Sequence, residues 1–268
     1  MTTTATPPSA VGHLVPALRA GAAYWFSGFR AMLAWHLASL RLWLVVLAAV
    51  QVLSGVGFVL GIGLFFDEIP LASALFVSTG VPVVNLVMVG MVLGPQLVAD
   101  QKVTHSFDFI HALPVPRTAS ALAWYVVCLV ASLPAVAISL GVAVWRYEGL
   151  PLAITPDVVP ALLLTGFAGT MLGYAIAHAI TNPMVTRLVT QFLVFALFAF
   201  TPILFAASQM PPWLATVNSW LPFRHMADLV RASLTDLPHP DLAVSYAVVG
   251  AWAVVCAALA VRALGRRR

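Results

Sequence analysis

Six apolar runs, each long enough to cross a bilayer as a helix, divide this chain: Leu42 to Phe66, Leu71 to Val98, Ala119 to Trp145, Val159 to Ile180, Leu188 to Ala207 and Leu242 to Val261. About 20 apolar residues in a helix cover the hydrocarbon core. In that medium every backbone N–H and C=O must be satisfied within the chain, which a helix achieves and an open strand does not. Only 8% of the residues are charged, against about 25% in soluble domains, so no water-facing surface can be built from them. The expectation is an all-α membrane protein with a six-span transmembrane domain over residues 42–262.

Orientation follows from the basic residues, which are retained in cytoplasmic loops while acids contribute little. With the N-terminus inside, Arg19, Arg30, Arg41, Lys102, Arg117, Arg187, Arg262, Arg266, Arg267 and Arg268 fall on the cytoplasmic side with only Asp100 and Asp108. Outside, Arg146, Arg224 and Arg231 meet Asp67, Glu68, Glu148, Asp157, Asp228, Asp236 and Asp241. Both termini are therefore expected in the cytoplasm, and the net charge of +4 reads as topology, not as a nucleic-acid surface.

Residues 1–18 lack an early basic region followed by an apolar core, so they read as a disordered cytoplasmic tail and not a secretory signal. Residues 263–268 form a second, basic tail. Between tail and first span, Arg19, Arg30 and Arg41 recur every 11 residues on one helical face, with Trp25, Phe29, Met32, Leu33 and Leu40 on another. Residues 19–41 are expected to form an amphipathic helix in the cytoplasmic interface, the alternative being a plain extension of the first span.

The spans carry little chemistry. Their polar groups reduce to Gln51, Asn85, Gln191, a few hydroxyls and His178, and intramembrane carboxylates of the kind ion-driven carriers use are lacking. His178, near the inner end of the fourth span, reads as a snorkelling or hydrogen-bonded histidine. Lys102 is the one lysine and lies in no GxxxxGK[ST] loop, so the chain has no P-loop for ATP. Cys128 and Cys256 sit in apolar segments as small hydrophobes, with no disulfide or metal implied. Gly57 with Gly61, Gly90 with Gly94, and Gly169 with Gly173 form GxxxG pairs suited to close helix packing. Pro82, Pro95 and Pro134 are expected to bend their helices or free carbonyls.

Two segments outside the spans are distinctive. In the loop 99–118, Phe107, Ile110 and Leu113 recur at helical spacing with Asp108 and His111 between them, ahead of Pro114-Val115-Pro116-Arg117. A short helix here could face a soluble partner. The external segment 208–240 holds Pro211-Pro212-Trp213-Leu214 and Trp220-Leu221-Pro222-Phe223-Arg224-His225-Met226-Ala227-Asp228-Leu229-Val230-Arg231, too apolar for an ordinary exposed loop; tryptophans at headgroup level would explain it.

The first loop resembles the cytoplasmic loop of permeases in the ABC-transporter type-2 family, where E-R-x-x-G-T-x-E-x-L-x-x-x-P-V-x-R couples to the ATPase. Asp108 falls at the family's glutamate, Ile110 at the hydrophobic position, and Pro114, Val115 and Arg117 at P-V-x-R; the Gly-Thr is here His105-Ser106. The second segment resembles the family's P-x-W-L and N-P-L-T-Y-x-x-D-A-L-R stretch, which forms short re-entrant helices on the outer face. Pro212, Trp213, Leu214, Pro222, Asp228 and Arg231 match it, whereas Arg224 and His225 replace its threonine and tyrosine and carry over no role.

The resemblance implies a non-catalytic permease subunit of an ATP-driven exporter in a bacterial plasma membrane. It implies a second permease chain, as homo- or heterodimer, and separate ATPase subunits that bind ATP and Mg. Lys102, Ser106, Asp108, Ile110, Pro114 and Arg117 would couple to the ATPase. Apolar walls with few fixed charges suit an amphipathic cargo such as a drug, antibiotic, lipid or glycolipid. The rival readings are an ATP-independent channel or carrier and a non-transporting scaffold.

Overall fold

A computed structural model of the chain describes residues 21–65, 69–236 and 241–265. The expected tail 1–18, together with Arg19, Phe66, Asp67, Glu68 and the basic residues Arg266 to Arg268, lies outside the described residues. Every regular element among them is helical: α1 (Ala22–Phe65), α2 (Leu71–Met88), α3 (Gly94–Val103), α4 (Ser106–Ala112), α5 (Arg117–Arg146), α6 (Val158–Ala179), α7 (Pro183–Phe200), α8 (Pro212–Asn218), α9 (Pro222–Leu234) and α10 (Leu242–Gly265). Six helical stretches among the described residues are long and apolar enough to cross a membrane, which makes this an all-helical, multi-pass membrane protein.

Two expected boundaries change. Of the segment expected over 19–41, the described part from Ala22 onward is not separate from the first span: α1 runs unbroken through Arg41 for 44 residues, roughly 66 Å of rise. Neither glycine nor proline interrupts Phe29–Gln51, and the N-terminal third of α1 packs along α5 from its start. Trp25 Nε1 donates to Thr118 Oγ1 at 2.9 Å, His36 meets Trp124 edge-on, and Tyr147 donates its hydroxyl proton to Val59 O at 2.8 Å. Partners advance together in sequence, so α1 and α5 run parallel.

The fifth span is also displaced. Expected over Leu188 to Ala207, α7 instead occupies Pro183–Phe200. Its start is set by Asn182, whose Oδ1 accepts from Met184 N and Val185 N, followed by Pro183 at the first helical position, where the missing N–H costs nothing. Its end is set by Pro202, which forces Thr201 into extended backbone (φ −119°, ψ 137°).

The second span continues from α2 through a π-helical turn, Val89–Leu93, into α3, reaching Val103. Pro95 explains the widening, since it cannot donate to the carbonyl four residues back and its ring would collide with it. This stretch is the center of the molecule, with Val81, Val83, Val87 and Met91 fully enclosed. It meets α6 almost backbone to backbone: a Cβ on Gly173 would lie 2.2 Å from Gly90 O, and one on Gly90 would lie 2.6 Å from Thr170 N.

At one end of the bundle lie the starts of α1, α5 and α7, the ends of α3, α6 and α10, and all of α4. This is the basic end, with Arg30, Lys102, Arg117, Arg187 and Arg262; Glu148, Asp157 and Asp241 mark the opposite, acidic end.

Candidate functional site

At the basic end, α3 stops at Thr104, whose hydroxyl donates to Asp100 O at 3.0 Å. His105 then reverses the chain in the left-handed conformation (φ 58°, ψ 8°). That conformation favours glycine, so histidine stands where the backbone would prefer the residue it lacks. Helix α4 follows, and Leu113 to Pro116 leads as extended chain into α5.

This loop is anchored from inside. Phe107 is buried against the ring of His178. Lys102 donates from Nζ to Ala177 O at 2.7 Å and Ile180 O at 2.6 Å, placing its charge on the negative end of α6, where the last carbonyls lack helical partners. His178 is buried, donates from Nδ1 to Tyr174 O at 2.8 Å and lies against the Tyr174 ring; it is a hydrogen-bonded core histidine. Arg187 of α7 pairs with Asp100. From the other side α1 grips the loop: Tyr24 donates its hydroxyl proton to Pro114 O, and Gly28 sits so close to Pro116 that a Cβ would lie 3.0 Å from its ring.

The six coupling candidates therefore divide. Lys102 and Pro114 hold the loop to the bundle, and Ser106 shares its hydroxyl with Thr104 at 2.9 Å. Ile110 and Arg117 are half-buried, and Asp108 is exposed. Beside Asp108 stands Phe109, 60% exposed. Sequence reading passed over Phe109 because it lies off the Phe107–Ile110–Leu113 face; its position next to Asp108, opposite that face, was the available signal.

The segment at the acidic end is built the other way round. After α7 the chain turns at Pro202–Ile203, where Ile203 N donates to Thr201 O at 3.0 Å, makes a short 3-10 turn at Ala207–Gln209, and forms the hairpin α8–α9. Pro212 and Pro222 open the two helices. Leu214 O and Phe200 O both accept from Asn218 Nδ2. The hairpin turn is tied to α10, where Trp252 Nε1 donates to Trp220 O at 2.9 Å. Trp252 is ten residues beyond Leu242, roughly 15 Å along the helix. Trp213 and Trp220 are exposed.

Arg231 closes the arrangement. It is 3% exposed; Nε donates to Thr79 Oγ1 at 3.2 Å, NH2 to Ile203 O at 3.0 Å and NH1 to Asp228 Oδ1 at 3.1 Å. The guanidinium stacks 4.1 Å above the Phe76 ring, a cation–π contact. Burial pushes its pKa down to about 10 and Asp228 pulls it back, so it stays charged at neutral pH and needs every one of these partners. Arg224 adds a second cation to Asp228 at 3.6 Å. His225, which carried no expectation, is buried: Nε2 donates to Ser219 O at 2.9 Å, leaving Nδ1 to accept from Ser245 Oγ at 3.0 Å.

Beside this segment, a cavity of about 460 Å³ opens between the outer part of α2, the end of α7 and the 201–209 stretch, with Val77, Phe198, Ile203 and Phe205 among its walls. The glycine pairs divide as well. Gly90, Gly94, Gly169 and Gly173 are all in contact, Gly94 facing Trp124 and Gly169 facing Val87, whereas Gly57 and Gly61 have open space before them.

No curated protein matches the chain closely enough to serve as a relative. A family described as ABC-2 family transporter protein matches residues 71–262, a stretch that takes in the α2–α6 core, the anchored loop and the whole α8–α9 hairpin. On that match, over most of its length, the chain belongs to the ABC-2 family of membrane transporter proteins.

Proposed function

We propose that this chain is the permease subunit of an ATP-driven exporter in a bacterial plasma membrane, with its basic end in the cytoplasm. One observation carries the coupling part of this reading: α4 is held rigidly from behind by Phe107, Lys102 and the α1 grip while Asp108 and Phe109 face outward. A large apolar side chain left 60% exposed beside a carboxylate, on a braced helix, is the surface a soluble partner can push. That partner is a separate ATPase subunit, which binds ATP and Mg; this chain does no chemistry itself.

A second permease chain completes the pathway. The α8–α9 hairpin acts as a re-entrant plug at the outer face, its turn reaching about half the depth of α10, and the neighbouring cavity receives an amphipathic cargo such as a drug, antibiotic or lipid. Closure of the ATPase subunits displaces α4, and the parallel α1–α5 pair carries that displacement across the membrane.

The test is reconstitution with the ATPase. Reversing charge at both positions, Asp108→Lys with Arg117→Glu, should leave insertion intact, preserve basal ATP hydrolysis and abolish ATP-dependent cargo movement. Wild-type coupling in that variant, or transport that persists with no ATPase present, sinks the assignment.

A further inference from the structure

A second cavity lies at the basic end, enclosed by α1, α3, α4, the start of α5 and the end of α6, with a volume of about 860 Å³. That is at the upper part of the range occupied by small-molecule sites. Its walls are of two kinds. Met32, Leu97, Phe107 and Trp124 supply apolar surface, and Gln101, Lys102, Arg117 and Ser120 supply hydrogen-bond donors at the rim. Asp108 also borders it, so its charged lining carries two cations and one carboxylate.

The observation that singles the cavity out is His36. Its side chain lines the cavity and is 8% exposed. Its ring packs edge-on against Trp124 at 5.2 Å, and among the described residues it has no hydrogen-bond partner. Its ring nitrogens are not among the fully enclosed polar atoms, so they are reachable from the cavity that they line, whereas Trp124 Nε1 beside it is enclosed and without a partner; an imidazole open to a polar-rimmed cavity can bond a ligand atom that enters it. The nearby His178 makes the contrast, since its Nδ1 is committed to Tyr174 O.

We propose that this cavity, with two cations against one carboxylate in its lining, is a binding site for a membrane lipid whose phosphate head group carries a net negative charge, distinct from the outer cavity and independent of ATP. The phosphate lies among the Arg117 and Gln101 donors, within the field of the Lys102 charge that α6 holds in place, and reaches His36, and an acyl chain lies along Met32, Leu97 and Trp124. A free phosphate offers the same oxygens and none of the chain. The site involves both grips on the loop, α1 and α3, so an occupied cavity would stiffen the surface on which α4 stands. It does not rest on the exporter reading, because binding is measured on this chain alone.

The experiment uses the full chain in a neutral detergent, with lipid retention followed by native mass spectrometry and melting temperature. Its three probes are phosphatidylglycerol, phosphatidylcholine with the same chains, and inorganic phosphate. Phosphatidylglycerol is expected to bind at least tenfold more tightly than phosphatidylcholine and to raise the melting temperature, with inorganic phosphate doing neither. His36→Phe keeps the ring against Trp124 but removes both nitrogens, and Ser120→Phe fills the cavity from α5. Each should lower phosphatidylglycerol affinity at least tenfold, with the lipid-free melting temperature identifying any variant that misfolds. Equal binding of the two lipids overturns the head-group assignment, saturation by inorganic phosphate alone overturns the lipid assignment, and undiminished binding in a well-folded variant overturns the site.

Discussion

The two segments outside the spans use charge in opposite ways. At the acidic end Arg231 is turned inward: two of its three hydrogen bonds fasten α9 to α2 and to Ile203, and the third holds Asp228 within α9. At the basic end Lys102 also turns inward, but it does so to free the far side of its loop, where Asp108 and Phe109 face out. One segment is core that happens to lie between spans, and the other is surface with a braced back. Residues in the first should therefore govern stability, and the outward residues of the second should govern association.

The largest effect should come from Arg231→Met. It leaves the Ile203 carbonyl without its donor and takes one partner each from Thr79, which keeps Leu75 O, and from Asp228, which keeps Arg224, and losing the buried guanidinium costs about 3 kcal/mol. Unfolding in detergent measures it, and a loss below about 1 kcal/mol would erase the contrast. Lys102→Met should be next, at about 2 kcal/mol, for the charged hydrogen bonds lost at the end of α6. A neutral outcome would mean that Lys102 is not a brace. His105→Gly should stabilise by about 1 kcal/mol, because glycine adopts the left-handed turn without the Cβ penalty. Its melting temperature should rise while ATPase binding is unchanged. The smallest change in stability, within about 0.5 kcal/mol, belongs to Phe109→Ser, yet this substitution should weaken co-purification with the ATPase at least tenfold. Retained association would show that the exposed face of α4 is not the docking surface.

Much of this was legible in the chain. Five of the six spans lie within a few residues of their apolar runs at their defining end, because hydrophobic length sets where a helix can leave the bilayer. The fifth was shifted because apolarity continues through Thr201 to Ala207 while Pro202 stops the helix, so composition and backbone pointed to different ends. Residues 19–41 were set apart from the first span because Arg19, Arg30 and Arg41 share one helical face opposite an apolar one, although a periodic row of arginines does not interrupt a helix. The matched pairs Gly57–Gly61 and Gly169–Gly173 look identical as strings, yet only the second touches another helix; which face of a helix is occupied depends on the tertiary partner. His36 carried no pattern at all. Its burial arises from the parallel alignment of α1 with α5, a long-range relation that local periodicity does not encode.

That alignment has one more consequence. Helix α1 is embedded along its second half, and near its start it holds Pro114 and Thr118. A hydrophobic stretch adjusts its tilt to the thickness of the surrounding hydrocarbon, and α1 has neither proline nor chain break between Ala22 and Phe65 to absorb that adjustment. Bilayer thickness thereby becomes a mechanical setting of the loop: the same chain in a thinner or thicker membrane presents Asp108 and Phe109 at a different height and angle.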